Sequence, residues 1–343
     1  MKRNRVALAL ISCLESTWGR KQGLTGFVES SQLRTMGNGP VLYSSSADES
    51  VLPETPPTTR EKRVVFIRHG CTYMNEYLGM PGKQWGSPNF SDVFPDTEEY
   101  RDKYQDSVLS RRGIGQAKSL GKRLVDLLKG VPRAHHPLRI KDQDKDFLND
   151  LDLVVVSPLR RGLETMALGL LPCLQAKEFT RTVPIVALPE AAERLYLISD
   201  IGTPRSELES LYGDHVDFET GFWRDGGLDE EWWFRLDNNA PEEDGGSHPR
   251  GKPSGVSSET YVEWRPSDQN QEYACPGEPD PQFDERMRRL YAWLQDRPET
   301  TIAVVCHWGV IDWMLDLDFG NCELRIVPFD EIQPIRLVAE SNS

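Results

Sequence analysis

Two histidines and a set of arginines stand where apolar runs end. Val64–Ile67 is four apolar residues in a row, and Arg68-His69-Gly70 follows directly, with Thr72 and Asn75 just beyond. "LDLVVV" (151–156) runs into Ser157-Pro158, then Arg160 and Arg161. "TIAVVC" (301–306) runs into His307. Arginine forks match phosphate oxygens bidentately. A neutral imidazole can attack phosphorus and hold the phosphoryl group covalently. If these three ends meet, they make a pocket for an oxyanion, phosphate above all.

The elements between them decide whether they meet. Short continuous apolar runs are expected for strands buried on both faces, and Val183–Leu188 reads as a further one. Ile114, Ala117, Leu120, Leu124, Leu127 and Leu128 recur at helical spacing behind a capping Ser110. Ser157-Pro158 predicts another helix, with serine at the cap and proline at the first position. Phe283, Met287, Leu290, Tyr291 and Leu294 mark a third helix, and Trp308–Leu315 a fourth. "ELRIVPF" (323–329) and "IRLVAE" (335–340) read as closing strands. Residues 78–107 show little periodicity and read as a long loop with a helical stretch. The alternation predicts an α/β fold, a three-layer sandwich with a mainly parallel sheet and helices on both faces. In such a sheet ligands bind in the crevice beyond the carboxyl ends of the strands. The order of elements alone therefore gathers the histidines and arginines.

These residues resemble a known family. "RHGCTYMN" (68–75) matches the RHGxTxxN signature of the histidine phosphatase superfamily, which includes the cofactor-dependent phosphoglycerate mutases. Its five fixed positions arise by chance in a chain this long on the order of once in ten thousand. "SPLRRGLET" (157–165) matches the second motif, SPLxRxxxT. "VVCHWG" (304–309) resembles the strand-then-histidine third motif, and "LSRRGIGQA" (109–117) the LTxxGxxQA helix start. The resemblance implies a phosphoglycerate mutase-like fold and these roles. His69 is the nucleophile and becomes phosphohistidine. Arg68 and Arg161 clamp the phosphoryl oxygens, Arg160 being the residue the motif leaves free. Arg160, Thr72 and Asn75 supply further substrate contacts. His307 donates to the transferring group. An acid follows the third strand in the family, and "LPEAAERLY" (188–196) offers Glu190 and Glu193. Glu193-Arg194 is the pair that resembles the mutases' acid and arginine, so Glu193 is the expected proton donor, with a pKa raised by burial or nearby phosphate.

Mutases and phosphatases share the phosphohistidine. A mutase also needs basic residues for a bisphosphate, in a segment like ERHYGxLxGxxK. Here the segment is "ERLYLISDIGTPRSELE" (193–209), without the lysine but with Arg194 and Arg205. The reading is therefore a phosphomonoester hydrolase acting on a small phosphorylated metabolite. A phosphoryl isomerase of the mutase type, or a phosphate-binding module without catalysis, are the alternatives. No cofactor and no metal are expected.

The chain has 343 residues and a net charge of −14, so nucleic acid and anionic membrane are poor partners. No stretch is apolar enough for stable membrane insertion. The six cysteines show neither CxxC pairs nor zinc spacing and read as mostly reduced thiols. "MKRNRVALALISCLES" opens a basic, serine-bearing segment through Ser46. It resembles a signal or organelle transit segment, for plastid, mitochondrion or the secretory pathway. As an ordinary tail it would leave the protein cytoplasmic. Its removal leaves a charge of −18. The expected organisation is this segment at 1–46, a linker at 47–62, and a single domain at 63–338 with a Trp-containing insert and loop at about 195–281. The insert carries Trp223, Trp232 and Trp233 and reads either as an extra packing layer or as a lid over the leaving group. Its acidic stretch "DGGLDEEWWF" (225–234), if it faces the site, repels a second phosphate and favours a monophosphate or a polar alcohol.

Overall fold

The computed structural model describes residues 61–83, 98–131, 146–176, 178–224, 227–234, 278 and 280–332. Every described residue lies in the unit formed by residues 60–343. The expected targeting segment, most of the linker, the insert from 237 to 277 and the last closing strand at 335–340 lie outside the described residues.

Strands β1 (Arg63–Arg68), β2 (Leu153–Val156), β3 (Ile185–Ala187), β6 (Thr301–Cys306) and β7 (Leu324–Pro328) form one sheet in the order β3-β2-β6-β1-β7. β4 (Trp223–Arg224) and β5 (Gly227–Leu228) make a separate two-stranded hairpin in the insert. The pairs β1·β6, β2·β6 and β2·β3 are parallel, and only β7 runs antiparallel, on β1.

Successive strand residues point to opposite faces. Val64 and Phe66 of β1, Val155 of β2, and Ile302 and Val304 of β6 share one core cluster with Met287, Leu290 and Leu294 of α8 (Asp280–Asp296) and Val310, Ile311 and Met314 of α9 (Trp308–Leu315). Val65, Ile67, Val154, Val156 and Val305 alternate with them and are equally buried. That second face lies toward α5 (Arg160–Gly169), which contacts both β2 and β6 and packs on α3 (Arg111–Leu128). Burial on both faces is why these strands read as unbroken apolar runs. The α/β class with a mainly parallel sheet is as expected.

Ser110 caps α3 as expected, its Oγ accepting from Gly113 N at 3.3 Å. The buried face of α3 is Gly113, Ala117, Leu120, Gly121 and Leu124, while Ile114, Leu127 and Leu128 are only half-buried. The helix after β2 starts at Arg160, not at Ser157-Pro158, and Leu159 at its cap makes no side-chain bond. Ser157 Oγ is instead the partner of a histidine, described below. The third strand is shorter than expected, three residues from Ile185. α1 (Tyr73–Leu78), α2 (Glu98–Tyr104), α4 (Phe147–Asp150), α6 (Leu171–Leu174) and α7 (Arg205–Tyr212) complete the described helices. Among the described residues, no helix is long and apolar enough to cross a membrane. Cys71, Cys173, Cys306 and Cys322 are buried free thiols.

Candidate functional site

Sheet register sets the site. Arg68 pairs with Cys306 across β1·β6, and Val156 with Val305 across β2·β6. The chain therefore leaves three neighbouring strands at the same level, as Arg68-His69, as Ser157 and as His307. His69 N donates to Cys306 O at 3.0 Å, and Ser157 N to Val305 O at 3.0 Å, which carries the pairing one residue beyond the strands. The rings of His69 and His307 lie 5.0 Å apart, centre to centre, at 48°.

The loop behind His69 is fixed from three sides. Gly70 N donates to Thr165 Oγ1 at 2.9 Å, Cys71 N to Gln116 Oε1 at 2.9 Å, and Asn321 Nδ2 to His69 O at 3.0 Å. The start of α3 presses so close that a Cβ on Gly113 would stand 1.9 Å from Cys71 O, so only glycine fits there. This gives the LTxxGxxQA and SPLxRxxxT motifs a physical reading. Their glycine, glutamine and final threonine are the supports of the RHG loop.

The hydrogen bonds assign the tautomers. His69 Nδ1 sits 2.7 Å from Gly70 O. A carbonyl only accepts, so the proton is on Nδ1 and Nε2 keeps its lone pair. His307 Nδ1 receives Arg161 Nε–H at 3.2 Å, so its proton is on Nε2, which donates to Ser157 Oγ at 2.6 Å. Both rings are neutral. Burial, then the nearby charge of Arg161, holds each pKa well below the usual histidine value. His307 is wholly buried, and both its nitrogens are engaged inside the protein. The expected direct donation to a phosphoryl group therefore requires Nε2 to exchange Ser157 for it.

Arg68 lines the cavity in front of His69; one of its terminal nitrogens donates to Phe319 O, and its Nε is a buried donor without a hydrogen-bond partner. Such an orphan calls for a polar partner. Arg161, on the first turn of α5, lines the same cavity. Three of its five N–H donors are taken, by His307 Nδ1, by Ser199 O at 2.6 Å and by Asp200 Oδ1 at 2.7 Å. Asp200 was not legible in the sequence. It follows no motif, and its partner is 39 residues away. It is itself held by Tyr196 N at 3.1 Å and Leu197 N at 2.9 Å.

Glu193 lines both the cavity of His69 and a smaller neighbouring one of about 460 Å³, while Glu190 lines the smaller one without reaching the first and stands 4.0 Å from Arg289. Glu193 Oε1 accepts from Gly309 N and Arg194 N, each at 3.0 Å. A Cβ on Gly309 would meet Glu193 Oε1 at 2.4 Å, so the start of α9 needs glycine for the carboxyl to seat. Burial, reinforced by the Asp200 charge, pushes the Glu193 pKa up to about 7. Thr72 and Asn75 line the cavity too, but each caps the other's backbone: Asn75 N donates to Thr72 Oγ1 at 3.0 Å and Thr72 N to Asn75 Oδ1 at 3.1 Å. Their first task is to start α1. Arg160 stands apart from the other expected substrate contacts. It is not part of the cavity wall; its N donates to Asp106 Oδ1 at 2.8 Å and its guanidinium faces Glu164 at 4.0 Å. One helical step turns adjacent residues to different sides, so Arg161 and Arg160 part company.

The cavity measures about 820 Å³. Where it is described, the tryptophan-bearing insert packs on the domain, and its Trp232, Trp233 and Phe234 also line the smaller cavity with Glu190 and Glu193. Trp232 is buried, donates to Thr203 O at 3.0 Å and stacks edge-on against Trp233 and Phe222. Its described acidic residues, Asp229, Glu230 and Glu231, do not line the cavity of His69; Glu230 turns to Arg205 at 3.0 Å.

Neither a family model nor a curated protein matches the sequence. Solved structures do. The chain is similar to the ecdysone phosphate phosphatase from Bombix mori in complex with tungstate, at 17% identity over 77% of this chain and 88% of that one, with a TM-score of 0.36. It is similar to the mycobacterial glucosyl-3-phosphoglycerate phosphatase in complex with VO3, at 19% identity over 79% and 95%, with a TM-score of 0.31. It is also similar to the alpha-ribazole phosphatase from Shigella flexneri, at 21% identity over 73% and 76%, with a TM-score of 0.32. The sheet is of the class that the resemblance to the histidine phosphatase superfamily implies, and the residues of its RHG, SPL and strand-histidine motifs meet at the carboxyl edge of that sheet.

Proposed function

We propose that the protein is a phosphomonoester hydrolase working through a phosphohistidine on His69. The observation that carries this is the bond from His69 Nδ1–H to Gly70 O, which leaves Nε2 unprotonated beside Arg68, Arg161 and Glu193 around one cavity. Nε2 attacks phosphorus, the P–O bond to the leaving alcohol breaks, and Glu193 gives its proton to the departing oxygen. Water then attacks the phosphohistidine, Glu193 takes back a proton, and phosphate leaves with His69 restored. Arg68 offers its unpartnered Nε–H to a phosphoryl oxygen, and Arg161 the donors it has not spent on Asp200, Ser199 and His307. His307 holds Arg161 and donates to the phosphoryl group once Ser157 releases it.

The mutase reading is less well supported. Arg205, one of the two basic residues that could greet a bisphosphate, pairs with Glu209 and Glu230, and Arg194 pairs with Asp280. The test is phosphate release from a panel of phosphomonoesters in excess chelator, between about pH 5 and 8, by the protein and its His69→Ala variant. 3-Phosphoglycerate with and without 2,3-bisphosphoglycerate belongs in the panel. Release by the parent alone is expected. Isomerisation without release would favour the mutase, and inertness of both proteins toward every ester would favour a binding module.

A further inference from the structure

We infer that the leaving group is an uncharged alcohol carrying an aromatic ring, and that Trp308 is the platform on which the ring lies. This rests on the phosphatase reading and names the class of its substrate.

Size is the first argument. A cavity of about 820 Å³ falls within the range, about 300–1,000 Å³, of pockets that bury a drug-sized molecule. A phosphoryl group on a short alcohol leaves most of it unfilled.

The second argument is the chemistry of the wall. Met74, Leu78, Leu197 and Trp308 all line the cavity. Trp308 is 40% exposed, although large apolar side chains are mostly covered among the described residues. A single exposed apolar residue on an outer surface means little. This one belongs to a cavity wall with three other apolar residues, and it directly follows His307 at the end of β6, so its position relative to the reacting atoms is fixed by the sheet. An indole face takes another aromatic ring in offset or edge-on contact, a preference of about 0.5–1.5 kcal/mol beyond the area buried.

Charge is the third. The other groups away from His69 do not invite an anion. Arg194 is engaged by Asp280, by the Tyr196 hydroxyl at 3.0 Å and by Glu278 O at 2.7 Å. Asp280 and Asp318 both line the cavity. Asp280 pairs with Arg194 and Asp318 stands 3.7 Å from Arg68, so a leaving group bearing a carboxylate or a second phosphate would have to displace a carboxylate to reach either arginine. Residues 227–234 of the acidic stretch are not in that cavity wall, so they supply no argument for a polar alcohol.

The experiment compares two esters whose leaving alcohols have similar basicity, 2-(2-naphthyl)ethyl phosphate and ethyl phosphate, so that leaving-group reactivity does not mimic binding. kcat/KM is measured for both on the full chain, on Trp308→Ala, on Trp308→Phe and on His69→Ala. The parent is expected to prefer the naphthyl ester by about tenfold or more. Trp308→Ala should erase about tenfold of that ratio, and Trp308→Phe should keep most of it. Equal kcat/KM for the two esters in the parent, or a preference that survives Trp308→Ala, overturns the inference. Activity that persists in His69→Ala sinks the phosphatase reading itself. A dead His69→Ala with no naphthyl preference in the parent sinks only the leaving-group assignment.

Discussion

His69 and His307 are neighbours because Arg68 and Cys306 are paired. Each histidine is the first residue past a parallel strand, the strands are in register, and the rings come to rest 5.0 Å apart. A register slip of one residue would turn either imidazole to the other face of the sheet. The pocket is therefore as rigid as the centre of the sheet, and both rings are kept neutral by the burial that this position brings.

Glu193 is expected to act as an acid, and its titration should be visible in the rate. With its pKa near 7, the acid form is present below neutrality and is lost as pH rises through about 7. His69 is held well below its usual value, so it stays a nucleophile as pH falls through about 6.5. Once the substrate's own second ionisation at about pH 6 is divided out, the kcat/KM profile for an alkyl phosphate should carry an alkaline limb near neutrality and no acid limb from His69 near 6.5. Glu193→Gln should remove that limb and slow alkyl esters by about a hundredfold or more, while aryl esters, which need no proton, slow far less. Equal slowing of both kinds of ester would remove Glu193 from this role.

Asp200 is expected to matter twice. Its 2.7 Å pair with Arg161 is buried on both sides, and breaking one half of a buried pair costs about 3–5 kcal/mol. Its charge also lifts the Glu193 pKa. Asp200→Asn should lower the denaturation midpoint and move the alkaline limb to lower pH. A purely structural residue would do the first without the second, so a limb that stays in place contradicts the electrostatic part.

Glu164 gives the stability of the protein a pH dependence. Its Oε2 accepts from Leu109 N at 2.7 Å, Oε1 is buried without a hydrogen-bond partner, and burial raises its pKa to about 7. The folded pKa exceeds the unfolded one, so this contribution is complete below about pH 4.3 and is lost as pH rises through about 7. It amounts to roughly 4 kcal/mol at most. Urea denaturation of Glu164→Gln at the two ends of that window should show the substitution costing less at the alkaline end. The same cost at both ends would mean that Glu164 does not carry a proton in the fold.

The central strands and the RHG, SPL and histidine ends were legible because burial on both faces leaves continuous apolar runs that stop abruptly at polar residues. Ser157 looked like a helix cap, since serine before proline usually is one; its Oγ is instead taken by His307 Nε2, and the helix opens at Arg160. Thr165 and Gln116 sit in quoted motifs, yet their task of pinning Gly70 and Cys71 depends on α5 and α3 packing side by side, which no local pattern states. Asp200 had no local signal, because only tertiary structure brings it to Arg161. The motif distinguished Arg161 from Arg160 as the clamp, but that the first turn of α5 points Arg160 to Asp106 and Glu164 had no local signal.

The most direct measurement is to trap the intermediate. The protein is mixed with an ester carrying labelled phosphate, quenched during turnover in alkali, and digested for mapping. The account predicts label in the peptide that contains His69, stable to alkali and lost in acid, and none in His69→Ala. Steady release of phosphate with no labelled protein, or label on another residue, would contradict it.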